Sequence, residues 1–198
     1  LLGEEDPKTL DAMHNIGGLL QAQSRFAEAE PFYRKALEAK RRVLGEEHQS
    51  SLKSINALGE VLGELGRFDE AEPLLRESLE KHPRVLGDEH PDTLTSISNM
   101  GYLLQAQGKL ADAEAYYREA LLMRRRVMGE EHPHTLVSIG SMGYLLQARG
   151  KLADAEAYYR EALEKRRRVL GEEHPDTLRT LSALGTVLRD LGKLDEAE

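Results

Sequence analysis

The 198-residue sequence has no cysteine and no tryptophan, and aromatic residues make up only 5% of it. Without cysteine there is no disulfide, no thiol nucleophile and no thiolate zinc site. With so few rings, any core must be built from Leu, Ala, Val, Ile and Met. No apolar run approaches the ~18–20 residues that a membrane-crossing helix needs. No signal peptide is visible, although the chain opens on Leu1 rather than on an initiating methionine. A basic excess is also lacking: the net charge of −8 argues against general nucleic-acid binding, which needs a basic face. These absences set the expectation of a cytoplasmic protein that contacts neither membrane nor nucleic acid. What is present suits a folded chain, with 40% hydrophobic and 31% charged residues.

The dominant positive feature is repetition. Starting at Gly3, blocks 3–44, 45–86, 87–128 and 129–170 align without a gap at a period of 42, and 171–198 begins a fifth. Blocks three and four differ at nine of their 42 positions, a degree of identity that points to recent duplication or to design. A fixed period of this length is the signature of a repeat array, in which each unit buries its apolar face against its neighbours. The expectation is therefore a single array over 1–198.

Within a block the pattern reads helix, short turn, longer helix. In the third, Leu94, Ile97, Met100, Gly101 and Leu104 mark one apolar face at helical spacing. The segment KLADAEAYYREALLMRRRVM then carries Leu110, Ala113, Tyr117, Ala120 and Leu121 at steps of three and four. Gly108 lies between them, where a helix stop is wanted. At 1.5 Å per residue the helices should be roughly 22–28 Å long. Glycine in mid-helix costs ~0.5–1 kcal/mol, yet it recurs at 17, 59, 101, 143 and 185. Close helix–helix approach is the expected reason, with Gly101 facing Ala113 of the second helix.

Gly101, Gly108, Ala113, Tyr117 and Ala120, at offsets 7, 5, 4 and 3, resemble the tetratricopeptide (TPR) repeat. The long period and the linker LGEEHPDTL resemble the 42-residue variety of kinesin light chains. The resemblance covers the whole chain and implies an all-α fold, an α-solenoid of antiparallel helix pairs in a right-handed superhelix. Three departures stand out: Ser24 replaces the turn glycine of block one, and Leu75 and Ser78 replace Tyr and Ala in block two. Pro83 predicts a helix that kinks or ends near His82, because proline lacks the N–H and crowds the preceding turn.

The stretch GEEHPDTL, residues 171–178, could in principle hold a metal or an acid–base pair. Its place at every block boundary gives a simpler reading, in which Gly ends one helix and Pro opens the next. Acidic residues near the new N-terminus suit its dipole, and Arg166, Arg167 and Arg168 suit the end of the preceding helix. Glu161 with Lys165 and Glu164 with Arg168 form expected i,i+4 pairs. His132 and His134 with Glu131 are the one candidate metal set, and the other blocks lack the second histidine. The arginine runs invite a reading as a phosphate ladder, but the nearby carboxylates cancel their charge. No nucleotide-binding, zinc-protease or serine-hydrolase motif occurs. The sequence predicts neither enzyme activity nor a cofactor.

In TPR-like arrays the first helices line a concave groove. The resemblance places there His14, Gly18 and Gln21; Lys53, Asn56 and Glu60; Ser98, Asn99, Tyr102 and Gln105; Ser141, Tyr144 and Gln147; and Arg179, Ser182, Thr186 and Arg189. Candidate peptide-binding residues are Asn56, Ser98, Asn99, Tyr102, Gln105, Ser141, Tyr144 and Gln147. Tyrosine offers contact area with a polar tip, and Asn or Gln can bond a peptide backbone on both sides. Leu122 and Met123 replace the Glu-Lys of blocks two and four, a second candidate contact patch. The end repeats carry no polar caps, which allows a homo-oligomer through stacked ends. Two functions follow: a non-enzymatic scaffold binding an extended peptide or partner segment, as a fragment of a longer regulator, or a structural array that associates end to end without a peptide ligand.

Overall fold

The computed structural model describes residue 3 and residues 5–193. Nine helices and no strand occur among the described residues: α1 (Pro7–Ala22), α2 (Phe26–Leu44), α3 (Gln49–Glu64), α4 (Phe68–Leu86), α5 (Pro91–Ala106), α6 (Leu110–Met128), α7 (Pro133–Ala148), α8 (Leu152–Leu170) and α9 (Pro175–Asp190). Odd-numbered helices such as α5 span 16 residues and even-numbered ones such as α6 span 19, the short-then-long alternation the pattern predicts.

The chain divides into two compact units, Leu1–Gly108 and Lys109–Glu198. In the first, α1 pairs with α2 and α3 with α4, the second helix of each pair packs on the next first helix, and α3 touches both α1 and α5. In the second, α6 packs on α7, α7 pairs with α8, and α8 packs on α9. The fold is an all-α repeat solenoid, in which neighbours in sequence are neighbours in space.

Burial follows the repeat. Leu52, Leu94 and Leu136 are buried on first helices, and Ala29, Ala71, Ala113 and Ala155 on second helices. The mid-helix glycines face a larger residue four positions beyond that alanine. A Cβ at Gly17 would lie 3.0 Å from the Tyr33 ring, one at Gly59 2.6 Å from Leu75, and one at Gly143 2.9 Å from Tyr159. Each of these glycines opens a slot for a buried side chain, and burial of that side chain offsets the weaker helix propensity.

The linker is structural from end to end. Gly171 ends α8 at φ 91° and ψ 165°, a region essentially restricted to glycine, and its N–H donates to the Arg167 carbonyl. His174 is the N-cap of α9: its Nδ1 accepts the Asp176 N–H at 3.1 Å, while Pro175 takes the first helical position. His48, His90 and His132 cap α3, α5 and α7 in the same way. Thr93 closes its loop by donating from Oγ1 to the Gly87 carbonyl at 2.8 Å, and Ser51 does so to Gly45 at 2.7 Å. The imidazole is a helix cap, a role that spacing alone did not reveal.

Of the two outcomes expected at Pro83, the helix end does not occur. Helix α4 does not end near His82 but runs through Pro83 to Leu86. His82 is fully buried, and its Nδ1 lies 2.9 Å from Ser78 Oγ and 3.0 Å from Ser96 Oγ. Burial and these side-chain bonds hold the turn across the N–H that proline lacks.

Candidate functional site

A repeated basic position lies at the junction of each second helix with a first helix. Lys40, His82, Arg124 and Arg166 recur at the 42-residue period, and all four are buried. Lys40 Nζ meets Asp11 Oδ1 at 2.9 Å. Arg124 Nη1 donates to Ser138 Oγ at 2.5 Å. Arg166 Nη1 donates to Thr180 Oγ1 and, at 3.2 Å, to the Asp176 carbonyl, while Nη2 donates to the Leu136 carbonyl at 3.3 Å. Ser96, Ser138 and Thr180 occupy one repeated position on the first helices, so the register of each contact recurs.

Burial disfavours the charged form at this junction. It pushes Arg124 down to about 10 and also lowers Arg166 and His82. His14, which donates to or accepts from Ser54 Oγ at 3.1 Å, is pushed down to about 4 by burial and then by the Lys40 charge. Cations, hydroxyls and carbonyls in this arrangement lock helices together through charge-assisted hydrogen bonds. Sequence reasoning missed the position because it heads a visible basic run. The signal was its phase: Arg124 follows Leu121 by three, on the apolar face.

Several other cations of these runs are paired. Lys81 meets Glu46 at 3.0 Å and Glu77 at 2.8 Å, and Arg84 meets Glu47. Arg125 meets Glu161 at 2.5 Å and Glu130 at 3.2 Å; Lys165 meets Glu161 at 2.7 Å and also Glu130. Arg168 pairs with Glu131, not with Glu164 as expected. The carboxylates of one linker thus bind the second helix of the repeat that follows. A row of cations paired in this way is not a phosphate ladder. His132 and His134 stack at 5.4 Å between centroids, and no group of three possible metal ligands gathers among the described residues.

The predicted groove residues fall into two sets. In the first unit they bond to one another. Asn56 is buried, and its Oδ1 accepts from Asn99 Nδ2 at 3.3 Å; the same Nδ2 reaches Glu60 Oε2 at 3.4 Å. Gln21 Oε1 accepts the Tyr33 hydroxyl at 2.8 Å. Burial raises the Glu60 carboxyl above the usual carboxylate range. Ser98 Oγ donates to the Leu94 carbonyl of its own helix. Tyr102 is half-buried over Gly63, and Gln105 is half-buried.

The second unit is more open. Tyr144 is 59% exposed, and Val137, seven residues earlier on the same face of α7, is 51% exposed. Ser141 lies between them, half-buried. Gln147 Oε1 accepts the Tyr159 hydroxyl at 3.1 Å. Val137 was not among the predicted residues; its exposure beside Tyr144 needed the structure.

The period, the glycine slots and the helix pairing meet an independent finding. The tetratricopeptide repeat family model matches residues 8–83, 56–121, 92–164 and 137–198. The chain belongs to the tetratricopeptide repeat family. A search of curated proteins finds no match. Among solved structures, TPR-like repeats of a Podosopora anserina chain described as a kinesin light chain share 24% identity and a TM-score of 0.78, covering 97% of this chain and 91% of that one. BtubC (BKLC) from P. vanneervenii shares 23% identity and a TM-score of 0.80, over 96% and 76% of the two chains. The Rap protein solved with competence and sporulation factor shares 15% identity and a TM-score of 0.80; the match covers 93% of this TPR chain and 50% of Rap. At these identities the likeness is one of fold. TPR repeats are in general interaction scaffolds that bind protein or peptide partners, not enzymes. No described helix is long and apolar enough to cross a membrane.

Proposed function

We propose that this TPR array is a non-enzymatic scaffold that binds an extended peptide segment along its first helices, with Tyr144 as the principal anchor. The observation that supports this is the exposed pair Val137 and Tyr144 on one face of α7. The equivalent positions elsewhere hold Asp11, Lys53, Thr95 and Arg179, and Gly18, Glu60, Tyr102 and Thr186. Outside the second tyrosine, the array solves the same packing problem without a large apolar side chain there. A tyrosine ring supplies contact area at low entropic cost, and Ser141 and Gln147 supply bonds to a peptide backbone. On α5, Ser98, Asn99, Tyr102 and Gln105 offer a second set of the same residue types, and Asn56 fixes the Asn99 amide from behind.

The test is a selection of displayed random peptides on the full chain, repeated with Tyr144→Ala and with Tyr102→Ala/Tyr144→Ala. Peptides that bind the wild type and are lost on both variants support the reading. If no recovered peptide is lost on the variants, the reading is refuted.

A second reading rests on α9, which exposes Leu178 at 51% and Leu181 at 43%, whereas Leu136 and Ile139 at the same repeat positions are buried. In this reading another copy of the chain covers α9. Sedimentation velocity of wild type against Leu178→Glu/Leu181→Glu decides it: a single monomeric species for both proteins ends the reading.

A further inference from the structure

Two of the places where block three or block four departs from its sister block converge in space. Leu122 and Met123 on α6 replace the Glu-Lys found at 80–81 and 164–165. Arg149, in the turn before α8, stands where the other blocks have Gln23, Leu65, Gln107 and Leu191. All three line one open groove of about 650 Å³ in the second unit. Its floor is Ala111, Ala115, Leu122 and Met123, and Leu122 is 60% exposed. These residues run along ~18 Å of α6, the length of about three helical turns or five extended residues.

The charges at the rim are polarised. Glu114 is nearly buried and meets three cations: Arg118 at 2.5 Å, Lys151 at 3.4 Å, and Arg149. Its counterpart Glu156 meets two, Arg160 and Lys193, and Glu30 also meets two, Arg34 and Arg67. One carboxylate cannot neutralise three cations, so this end of the groove carries surplus positive charge that Arg149 introduced. At the other end Met123 has removed the lysine partner that Glu77 finds in Lys81 and Glu161 finds in Lys165. The substitutions therefore built an apolar floor and placed a positive head beside it.

We infer that this groove is a second docking site, separate from the first-helix face, for a partner segment that presents an acidic side chain to Arg149 and Lys151 and an apolar side chain to Leu122. The apolar contact supplies the affinity, since a buried aliphatic anchor outweighs rim charges, and the carboxylate sets direction and polarity. The site rests on α6 and the α7–α8 turn alone and does not use Tyr144.

The experiment is a selection of displayed random dodecapeptides on the full chain, with Leu122→Glu/Met123→Lys as the counter-target. That variant restores the residues of block four and so keeps a sequence already compatible with the fold. A recovered peptide is then synthesised, labelled and titrated by fluorescence anisotropy. The expected peptide carries Asp or Glu near an apolar residue. It should lose about tenfold or more in affinity on Leu122→Glu/Met123→Lys. It should lose several-fold on Arg149→Gln, with that loss shrinking at high salt, and bind unchanged to Tyr144→Ala. Three outcomes overturn the inference: no peptide distinguishes target from counter-target, the distinguishing peptides are basic, or their binding falls with Tyr144→Ala. Concentration-dependent self-association of the wild type that Leu122→Glu/Met123→Lys abolishes would also overturn it, by giving the groove to a second copy.

Discussion

The same substitution, glycine to alanine within a helix, should have opposite signs at two positions of this chain. At Gly63 an added Cβ would lie 3.6 Å from the Tyr102 ring, an ordinary contact. There, in the last turn of α3, the change gains part of the interior helix propensity of about 0.8–1 kcal/mol, with nothing to oppose it. At Gly143 the Cβ would lie 2.9 Å from two atoms of the Tyr159 ring and 3.2 Å from a third. That ring is 4% exposed, and its hydroxyl is tied to Gln147 Oε1 at 3.1 Å, so it has no room to swing away. Overpacking of this kind costs about 1–3 kcal/mol, which outweighs the propensity gain. Gly63→Ala should therefore raise the urea midpoint followed by far-UV circular dichroism, and Gly143→Ala should lower it. In thermal terms the two should separate by several degrees, at about 2–4 °C per kcal/mol for a chain of this size. Repeat arrays can lose two-state behaviour, so the midpoints are compared only where the denaturant slopes agree. A cycle isolates the cause: with Tyr159→Ala in place, Gly143→Ala should no longer destabilise. If both single variants shift stability in the same direction, or the cycle shows no coupling, the slot account of these glycines is wrong.

Ser24 is the one described non-glycine residue at positive φ, 58°, at the turn where Gly66, Gly108, Gly150 and Gly192 sit at 71–77°. Ser24→Gly should stabilise by about 0.5–1 kcal/mol and raise the melting temperature; an unchanged or lower value would show that the turn is not strained. Arg124→Met removes a buried charge at similar volume and should leave the urea midpoint within about 1 kcal/mol of wild type or above it, whereas Arg124→Asp should cost about 3 kcal/mol or more; equal loss from both would deny the junction its electrostatic character. His14 and His82 both have folded values below the ordinary 6.5, so both are neutral in the native state at pH 7. The unfolded chain binds their protons first, and stability is full above pH 6.5 and falls as pH drops, toward about 4 for His14. For His14 alone the loss at pH 5.5 is about 1 kcal/mol. Urea midpoints measured from pH 7.5 to 5 should fall for wild type and flatten in His14→Gln/His82→Gln; a flat wild-type profile would contradict the burial of both rings.

The period and the phase of apolar residues made the helices, their lengths and their pairing legible, because a solenoid is held by contacts between near neighbours and its sequence must repeat them. What stayed hidden were the choices made among polar side chains. His174 sits in a linker rich in carboxylates, and nothing in the spacing says that its Nδ1, not Asp176, accepts the first amide of α9. Arg124 and Arg126 are the same residue type two positions apart, yet Arg124 is buried against Ser138 and Arg126 is exposed. Pro83 does not end α4, and the bond from His82 to Ser96 that helps hold the turn is tertiary and cannot be read locally. Among candidate groove residues, type and position were readable, but exposure was not. Asn56 proved to be a buried support for Asn99, and Val137 an exposed neighbour of Tyr144.

Near-identity between blocks three and four also narrows where specificity can reside. Residues shared by both blocks carry little that distinguishes one stretch of the array from the other. The distinction between them rests on the nine differing positions. Three of the changes, Thr95 to Val137, Ser98 to Gly140 and Asn99 to Ser141, lie on the first helices, where hydroxyl and amide groups give way to an exposed apolar side chain. Another three, Leu122, Met123 and Arg149, line the α6 groove and together change both its floor and its charge. Drift alone would scatter apolar gains over the exposed surface, where each costs solubility and gains no contact. Their concentration on two faces, each with polar groups at hand, is the pattern the two proposed docking surfaces would leave.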